Sequence, residues 1–311
     1  MKKEVLYTMS SPYRDDFNIY GYRFGEGEKA LAIIGSIRGD ELEQQFTCAM
    51  LINRLKELEA DGTLVPGYEI LVIPSVNPFS MNIGKRFWSM DNTDINRMFP
   101  GYDKGETTQR IAGAIFESVK DYEFGLQLAS YYIPGEFIPH IRMLNTGYQP
   151  EHEAKYFGLP YVYVKDVTPY DTTLLNYNWQ IWETKAFSMY TGHTDKLASQ
   201  NIDTGLTAIL RFMVKMGILS TSVRPGYHSA VITDANFVTL ATHKSGIMKK
   251  YKRAEDSVCK GDLLAEVMDP YEATVLERIV SPVNGAIFFS HEKALVLEGA
   301  RAFQIIEEEM I

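Results

Sequence analysis

The sequence predicts an α/β domain followed by an all-β C-terminal part. Two observations carry this. From about residue 30 to about 220, short apolar runs of strand character alternate with stretches of helical periodicity, the pattern of a sheet covered by helices. From about 222 the helical periodicity fades, and short β runs separated by Gly and Pro take over. The expected division is therefore residues 1–221 for the α/β domain and 222–311 for the β-rich domain.

The elements follow in order. Residues 30–34, all apolar and ahead of Gly35, read as a buried strand. Residues 41–59 carry Leu42, Phe46, Ala49, Met50, Ile52 and Leu55 at helical spacing, so an amphipathic helix with those side chains inward is expected. Residues 68–74 form a second buried strand, and 107–120 a second amphipathic helix with Ile111, Ala114, Ile115 and Val119 inward. Residues 161–164 are a third strand, and 207–216 a helix that stops near Gly217. In the tail a faint repeat joins 244–248 and 259–267 to 283–287 and 297–303, each half a Gly turn into a strand followed by another. Two such halves suit a small barrel-sandwich of the kind that carries biotinyl or lipoyl groups. The carrier lysine motif is absent, which speaks against an attachment role.

Composition narrows the function classes. Hydrophobic residues make up 45% and charged residues 23%, ordinary for a globular chain. The net charge of -9 argues against nucleic acid or an anionic membrane as partner, since both are polyanions. It leaves room for a small anionic ligand in a locally basic pocket. Two cysteines, Cys48 and Cys259, give no disulfide framework and no Cys-x-x-Cys pair. The start, with Lys2 and Lys3, lacks an apolar leader core, and no run of 18 apolar residues occurs, so a cytoplasmic location is expected.

Three segments carry the chemistry. The first is Ile34-Gly35-Ser36-Ile37-Arg38-Gly39-Asp40-Glu41, a strand, a turn and a helix start. The second is Ile73-Pro74-Ser75-Val76-Asn77-Pro78, a strand end running into an Asn-Pro turn. The third is Asp91-Asn92-Thr93-Asp94-Ile95-Asn96-Arg97-Met98-Phe99-Pro100-Gly101, a polar turn closing on an apolar stop. In this order and at these intervals they resemble the succinylglutamate desuccinylase/aspartoacylase family, zinc deacylases with a zinc-carboxypeptidase-like fold. That resemblance implies a mixed sheet flanked by helices. It also implies a zinc held by His, Glu and a distant His, a second Glu that shuttles the proton, and an Asn-Arg pair that grips a substrate carboxylate.

Matched to that pattern, the chain departs at several positions. Glu41 stands at the ligand Glu, but Arg38 stands where the first His belongs. Gln127, in Asp121-Tyr122-Glu123-Phe124-Gly125-Leu126-Gln127, takes the second His place, and Gly125 the place of an Asp. Tyr190, before Thr191-Gly192, takes the place of the proton-shuttling Glu. The Asn96-Arg97 pair is intact, with Asp94 read as orienting Arg97. Arg86 is a candidate to help hold an anion, or a solvated loop residue. His140 falls on a segment near the family pocket, or is a half-buried strand residue; His193 is a loop residue or lines the same cleft. Arg38 is permanently protonated and cannot bind zinc, so an Arg38–Glu41 ion pair with Gln127 hydrogen-bonded nearby is expected instead. The ring-rich segments around Tyr131 and Tyr177 suit a core, a contact between copies in a homo-oligomer, or a ligand wall.

Three functions fit these residues. In the first, the chain is a family member that binds a small carboxylate or N-acyl amino acid-like ligand through Asn96, Arg97, Arg38, Gln127, Arg86 and His140, with zinc hydrolase chemistry lost and no cofactor. The alternative is an active amide hydrolase (deacylase) of N-acyl amino acids with a non-standard metal site, where zinc is retained at Glu41 and Tyr190 serves in catalysis. The third is a partner protein with a vestigial pocket.

Overall fold

The computed structural model describes residues 1–192 and 196–308. At the start, β1 (Lys2–Met9) and β2 (Phe17–Phe24) pair as an antiparallel hairpin. β3 (Gly27–Ser36) is buried from Ala30 onward. It runs parallel to β4 (Gly67–Ser75), and α1 (Leu42–Ala60) is the crossover between them. A short turn, α2 (Pro78–Asn82), is capped by the Asn77 side chain. α3 (Thr107–Val119) then leads to β5 (Phe124–Leu128), parallel to β3 on its other side. Next come β6 (Gly135–Phe137), β7 (His140–Leu144), α4 (Glu151–Ala154), β8 (Tyr161–Lys165), α5 (Leu175–Ile181), β9 (Lys185–Tyr190) and α6 (Ser199–Lys215). β10 (Ala230–Thr233) completes a sheet of order β1-β2-β4-β3-β5-β9-β7-β8-β10.

Strand direction reverses inside this sheet. β9 runs parallel to β5, whereas β7 is antiparallel to β9 and carries β8 and β10 parallel to itself. Both faces are covered. Leu31, Ile33, Leu126 and Phe187 pack toward α1 and α6, while Ala32, Ile34 and Ala186 pack toward α3 and α5. The period of two along each strand therefore assigns Gly125, Gln127, Ser188 and Arg142 to the α3/α5 face.

Beyond β10, β11 (Phe237–Ala241), β12 (Gly246–Lys250), β13 (Ser257–Val258), β14 (Leu263–Met268), β15 (Val275–Val280), β16 (Gly285–His291), β17 (Leu295–Val296) and β18 (Arg301–Glu307) form two antiparallel sheets. One is β11-β18-β16-β13 and the other β15-β14-β12-β17. They share a core that includes Leu264, Val267, Ile287, Phe303 and Ile305. Among the described residues no strand pairing closes the two sheets on each other, so the expected barrel-sandwich reduces to two antiparallel sheets over one core. The two parts of the chain also exchange strands. β10 lies in the large sheet, and β6 pairs with β16, joining the C-terminal sheet to the region around β7 and β9.

Two helices differ from their periodicity. In α1, Leu42, Phe46 and Met50 are exposed, and Glu43, Gln44 and Thr47 face inward instead. The cause is hydrogen bonding. The Glu43 carboxylate accepts from Thr191 Oγ1 at 3.1 Å, the Ala198 N–H at 3.2 Å and Asn201 Nδ2 at 3.3 Å, which ties the approach to α6 onto the first turn of α1. Only from Cys48 does the apolar stripe of Leu51, Ile52, Leu55 and Leu58 take over. Cys48 is core, its thiol pushed up by burial. α6 begins at Ser199 rather than at 207; its first two turns are mostly polar, and Ile202 and Leu206 are too sparse an apolar set to mark them as helix.

Candidate functional site

A row of side chains crosses the sheet where strand direction reverses. Gln127 pairs in register with Ser188, Ser188 with Arg142, and Arg142 with Tyr163. These four form the floor of a cavity of about 470 Å³. Arg38, Asn96 and Arg97 line it from the loops, Asn176 from α5, and Arg301 and Gln304 from β18. Ligands collect at such breaks in open α/β sheets.

The loop after β3 builds one wall. Gly39 is required there, since a Cβ would stand 2.3 Å from the Lys85 carbonyl oxygen and 2.6 Å from Ser80. This close approach lets Glu41 fold back beneath the loop. Its Oε2 accepts the N–H groups of Ile37 and Arg38, both at 3.0 Å. Its Oε1 accepts the Ser130 hydroxyl at 2.8 Å and Arg38 Nη1 at 3.4 Å. Glu41 is fully buried and lies behind Arg38.

The expected Arg38–Glu41 pair is present, yet Asp94 is the main partner of Arg38. Nε donates to Asp94 Oδ1 and Oδ2 at 3.2 and 3.1 Å, and Nη2 donates to Oδ2 at 2.9 Å. Burial works against the Arg38 charge, but Asp94 and then Glu41 more than offset it, leaving the guanidinium more basic than an ordinary arginine. Asp94 also accepts the Asn96 N–H at 3.0 Å, capping the short turn Ile95–Arg97. Asp94 therefore serves Arg38 and the turn rather than orienting Arg97. Arg97 is partly exposed at the rim; it donates to the Tyr170 carbonyl and lies 4.0 Å from Asp171.

Gln127 is buried on the floor, but among the described residues its Nε2 has no hydrogen-bond partner, so the expected bond nearby is absent there. The Asn96 Oδ1 is likewise buried without a partner. Trp179 covers Gly125, where a Cβ would come within 2.7 Å of the indole. The space that an Asp side chain would need at 125 is filled by that ring. Arg86 stands outside the cavity wall, where Nη1 donates to Asp40 at 2.8 Å and Nη2 to Ser130 at 3.3 Å. His140 is not a wall residue either. It is fully buried, its ring stacked on Tyr190 at 4.9 Å, with Nδ1 2.8 Å from the Ile138 carbonyl oxygen. Tyr190 does line the cavity. His193 lies outside the described residues.

Burial, reinforced by the neighbouring Arg142, holds His140 well below the ordinary histidine range, so it is neutral in the folded protein. An unfolded histidine titrates near about 6.5, and a depressed folded value means the unfolded chain binds more protons below that point. Stability contributed by His140 is therefore present above about pH 6.5 and lost as pH falls below it, at about 1.4 kcal/mol per pH unit. His291, lowered by burial and by Lys250, acts in the same window. Urea unfolding at about pH 7 and about pH 5.5 should show His140→Gln losing less stability than the natural protein across that interval. An equal loss in both would rule out this assignment.

The sequence did not single out Arg142. It lies 4.2 Å from the Tyr190 ring centre, 4.7 Å from Tyr131 and 5.0 Å from Tyr163, an aromatic box that suits a guanidinium. Nη1 donates to the Tyr190 hydroxyl at 3.2 Å, and Nε is buried without a partner among the described residues. Burial opposes its charge, and the three tyrosines and Asp171 support it, leaving it more basic than usual. The Tyr131 hydroxyl is in turn pushed up to about 12, chiefly by burial. The usable signal was the period-two spacing of His140 and Arg142, which aims both at one face. Among the described residues Arg142 and Arg301 have no carboxylate partner, whereas Lys165 is paired with Asp171 at 2.6 Å. The wall is thus locally cationic in an acidic protein.

The donor set does not fit zinc. The Glu41 carboxylate is engaged on both oxygens, a guanidinium stands beside it, and Gln127 offers an amide rather than an imidazole. Among the described residues no group of three or more His, Cys, Asp or Glu is arranged to hold a metal ion.

The family model for the succinylglutamate desuccinylase/aspartoacylase catalytic domain matches residues 27–213, more than half of the chain. The chain belongs to the succinylglutamate desuccinylase/aspartoacylase family. Solved structures share its fold. The product-bound ectoine utilization protein EutE (DoeB) from Ruegeria pomeroyi superposes with a TM-score of 0.77 at 18% identity, over 94% of this chain and 89% of that one. The succinylglutamate desuccinylase/aspartoacylase from Rhodobacter sphaeroides gives 0.78 at 16% identity, over 94% and 89%. The N-alpha-acetyl-L-2,4-diaminobutyric acid deacetylase of Halomonas elongata is 33% identical over 88 residues, 28% of this chain. That match spans about a quarter, 24%, of the curated relative. No helix among the described residues is long and apolar enough to cross a membrane.

Proposed function

We propose that this family member binds a small carboxylate or N-acyl amino acid-like ligand and has lost zinc hydrolase chemistry. The observation that carries the reading is the Arg38 guanidinium. It stands where the family resemblance puts a zinc-ligating His, bonded to Asp94 and Glu41. A permanent cation there repels a dication and occupies the remaining ligand carboxylate. Loss of a metal-bound water removes the nucleophile source, since bulk water is less acidic by roughly nine pKa units. Tyr190 stands where the resemblance puts the proton-shuttling Glu and leaves no carboxylate at that position; Asp171 and Asp234, which also line the cavity, are engaged by Lys165 and Tyr163. What remains is a cationic cavity: Arg142 from its tyrosine box, with Arg97, Asn96 and Gln127, for the ligand carboxylate and its polar neighbours. Arg86 and His140 support the wall from behind. The α/β part to about residue 221 would supply the floor, and the β-rich part Arg301 and Gln304 from β18.

The test is metal analysis of protein purified without chelator, paired with thermal unfolding in the presence of zinc. The natural chain should carry no stoichiometric zinc, should not be stabilised by it, and should release no acetate or succinate from N-acyl amino acids above background. The double variant Arg38→His with Gln127→His should gain zinc-dependent stabilisation, because Glu41 remains. Stoichiometric zinc or chelator-sensitive hydrolysis in the natural chain would overturn the proposal.

A further inference from the structure

A second cluster of cations lies away from this cavity, where α6 ends against the turn after α4. Arg211 is at its centre. Nε donates to the Arg224 carbonyl at 3.0 Å, Nη2 to the Pro225 carbonyl at 3.3 Å, and Nη1 to the carbonyls of Phe157 and Gly158. Among the described residues its charge meets carbonyl dipoles only, and burial together with the neighbouring Arg224 makes it less basic than usual. Lys155, Lys215 and Arg224 line the same groove, of about 820 Å³, with His152 and His228 on its wall.

Among the described residues no Asp or Glu lines this groove, and none of the four permanent cations makes an ion pair. Glu153, close in sequence, is paired with Lys185 at 3.1 Å instead. Asp203 and Glu255 belong to an adjoining groove that shares Arg211 and Arg224. Like charges gathered without partners raise one another's energy, and the chain as a whole carries -9, so this concentration runs against the bulk of the protein. The groove is also held in shape. Arg211 ties the segment around Arg224 to the turn at Gly158, and the Tyr227 N–H donates to the Gly158 carbonyl at 2.9 Å. Thr221 and Ser222 stand on the same wall.

We infer that this groove binds a small phosphorylated compound. A single carboxylate would leave most of the four cations unmatched. A phosphoryl group brings about 1.5 to 2 negative charges and three acceptor oxygens, and two linked phosphoryl groups match the cluster. The volume is that of a small-molecule site, within the range of about 300–1,000 Å³. The inference is independent of the carboxylate cavity, because the two sites share no wall residue.

The experiment is calorimetric titration of the full chain with inorganic pyrophosphate, with sulfate, polyglutamate and a single-stranded oligonucleotide at matched ionic strength. Pyrophosphate should bind saturably at one site per chain, more tightly than sulfate. The double variant Lys155→Gln with Arg224→Gln should weaken it by about tenfold or more. Both side chains are exposed, and Arg211 holds Arg224 through its backbone carbonyl rather than its side chain, so folding should be preserved, as checked by circular dichroism. Arg142→Met should leave pyrophosphate affinity unchanged. Absence of saturable binding, equal affinity in the double variant, loss on Arg142→Met, or tighter binding of polyglutamate or the oligonucleotide would each overturn the inference.

Discussion

Arg38→Met is expected to destabilise the protein by about 3–5 kcal/mol, the usual cost of removing one partner from a buried ion pair. The guanidinium is the common counterion of two carboxylates, Glu41 with no exposure and Asp94 with little. After the substitution Glu41 keeps two backbone N–H groups and the Ser130 hydroxyl, but among the described residues Asp94 keeps only the Asn96 N–H. Two negative charges then face each other with no cation between them. The loss also unfastens the loop after β3 from the Asn-Arg turn, which among the described residues Arg38 alone bridges through side-chain bonds at this point. Urea unfolding at neutral pH measures the effect, and Arg38→Lys should recover part of it by restoring the charge without the bidentate fork. A loss below about 1 kcal/mol would mean that the triad is solvent-screened and of surface strength only.

The strands and helices that bury a continuous apolar run were legible from the sequence: β3, β4, β8 and α3 lie where alternation and helical spacing put them. What was illegible is polar. The inward turn of Glu43, Gln44 and Thr47 depends on partners in residues 191–201, far away in sequence, and no local period encodes it. The same applies to the site. Motif spacing brought Arg38, Asn96, Arg97, Gln127 and Tyr190 to one cavity: Gln127 and Tyr190 sit at strand ends, Arg38 in the turn after β3, and Asn96 and Arg97 in the short turn Ile95–Arg97 of the long loop between β4 and α3. It could not reveal that Asp94 belongs to Arg38, or that Arg86 is taken by Asp40, since both pairings are set by how loops pack together. Arg142 escaped notice because it sits in mid-strand with no motif around it. Its environment is three tyrosines drawn from 131, 163 and 190, which only the sheet register assembles.

Arg142 and Arg38 should behave in opposite ways, and this contrast is the strongest test of the cavity. Arg142 has no carboxylate partner among the described residues, so Arg142→Met removes a buried charge without orphaning another. Replacing such a charge by an apolar side chain of similar length is often neutral or favourable to folding. Ligand binding should suffer instead. Succinate binding, measured by titration calorimetry, should weaken by about 1.5–3 kcal/mol, the worth of a hydrogen bond to a charged group, which is roughly ten- to 150-fold in affinity. Arg142→Lys should recover little, because an ammonium lacks the planar fork and stacks poorly in the tyrosine box. Arg97→Ala should weaken succinate binding by less, since that guanidinium is partly exposed and already donates to the Tyr170 carbonyl. If Arg142→Met binds succinate as the natural chain does while unfolding at lower urea, the roles are reversed. Arg142 would then be a structural cation stabilised by the faces of its tyrosines, and the anionic end of the ligand would have to lie at Arg97 and Arg301.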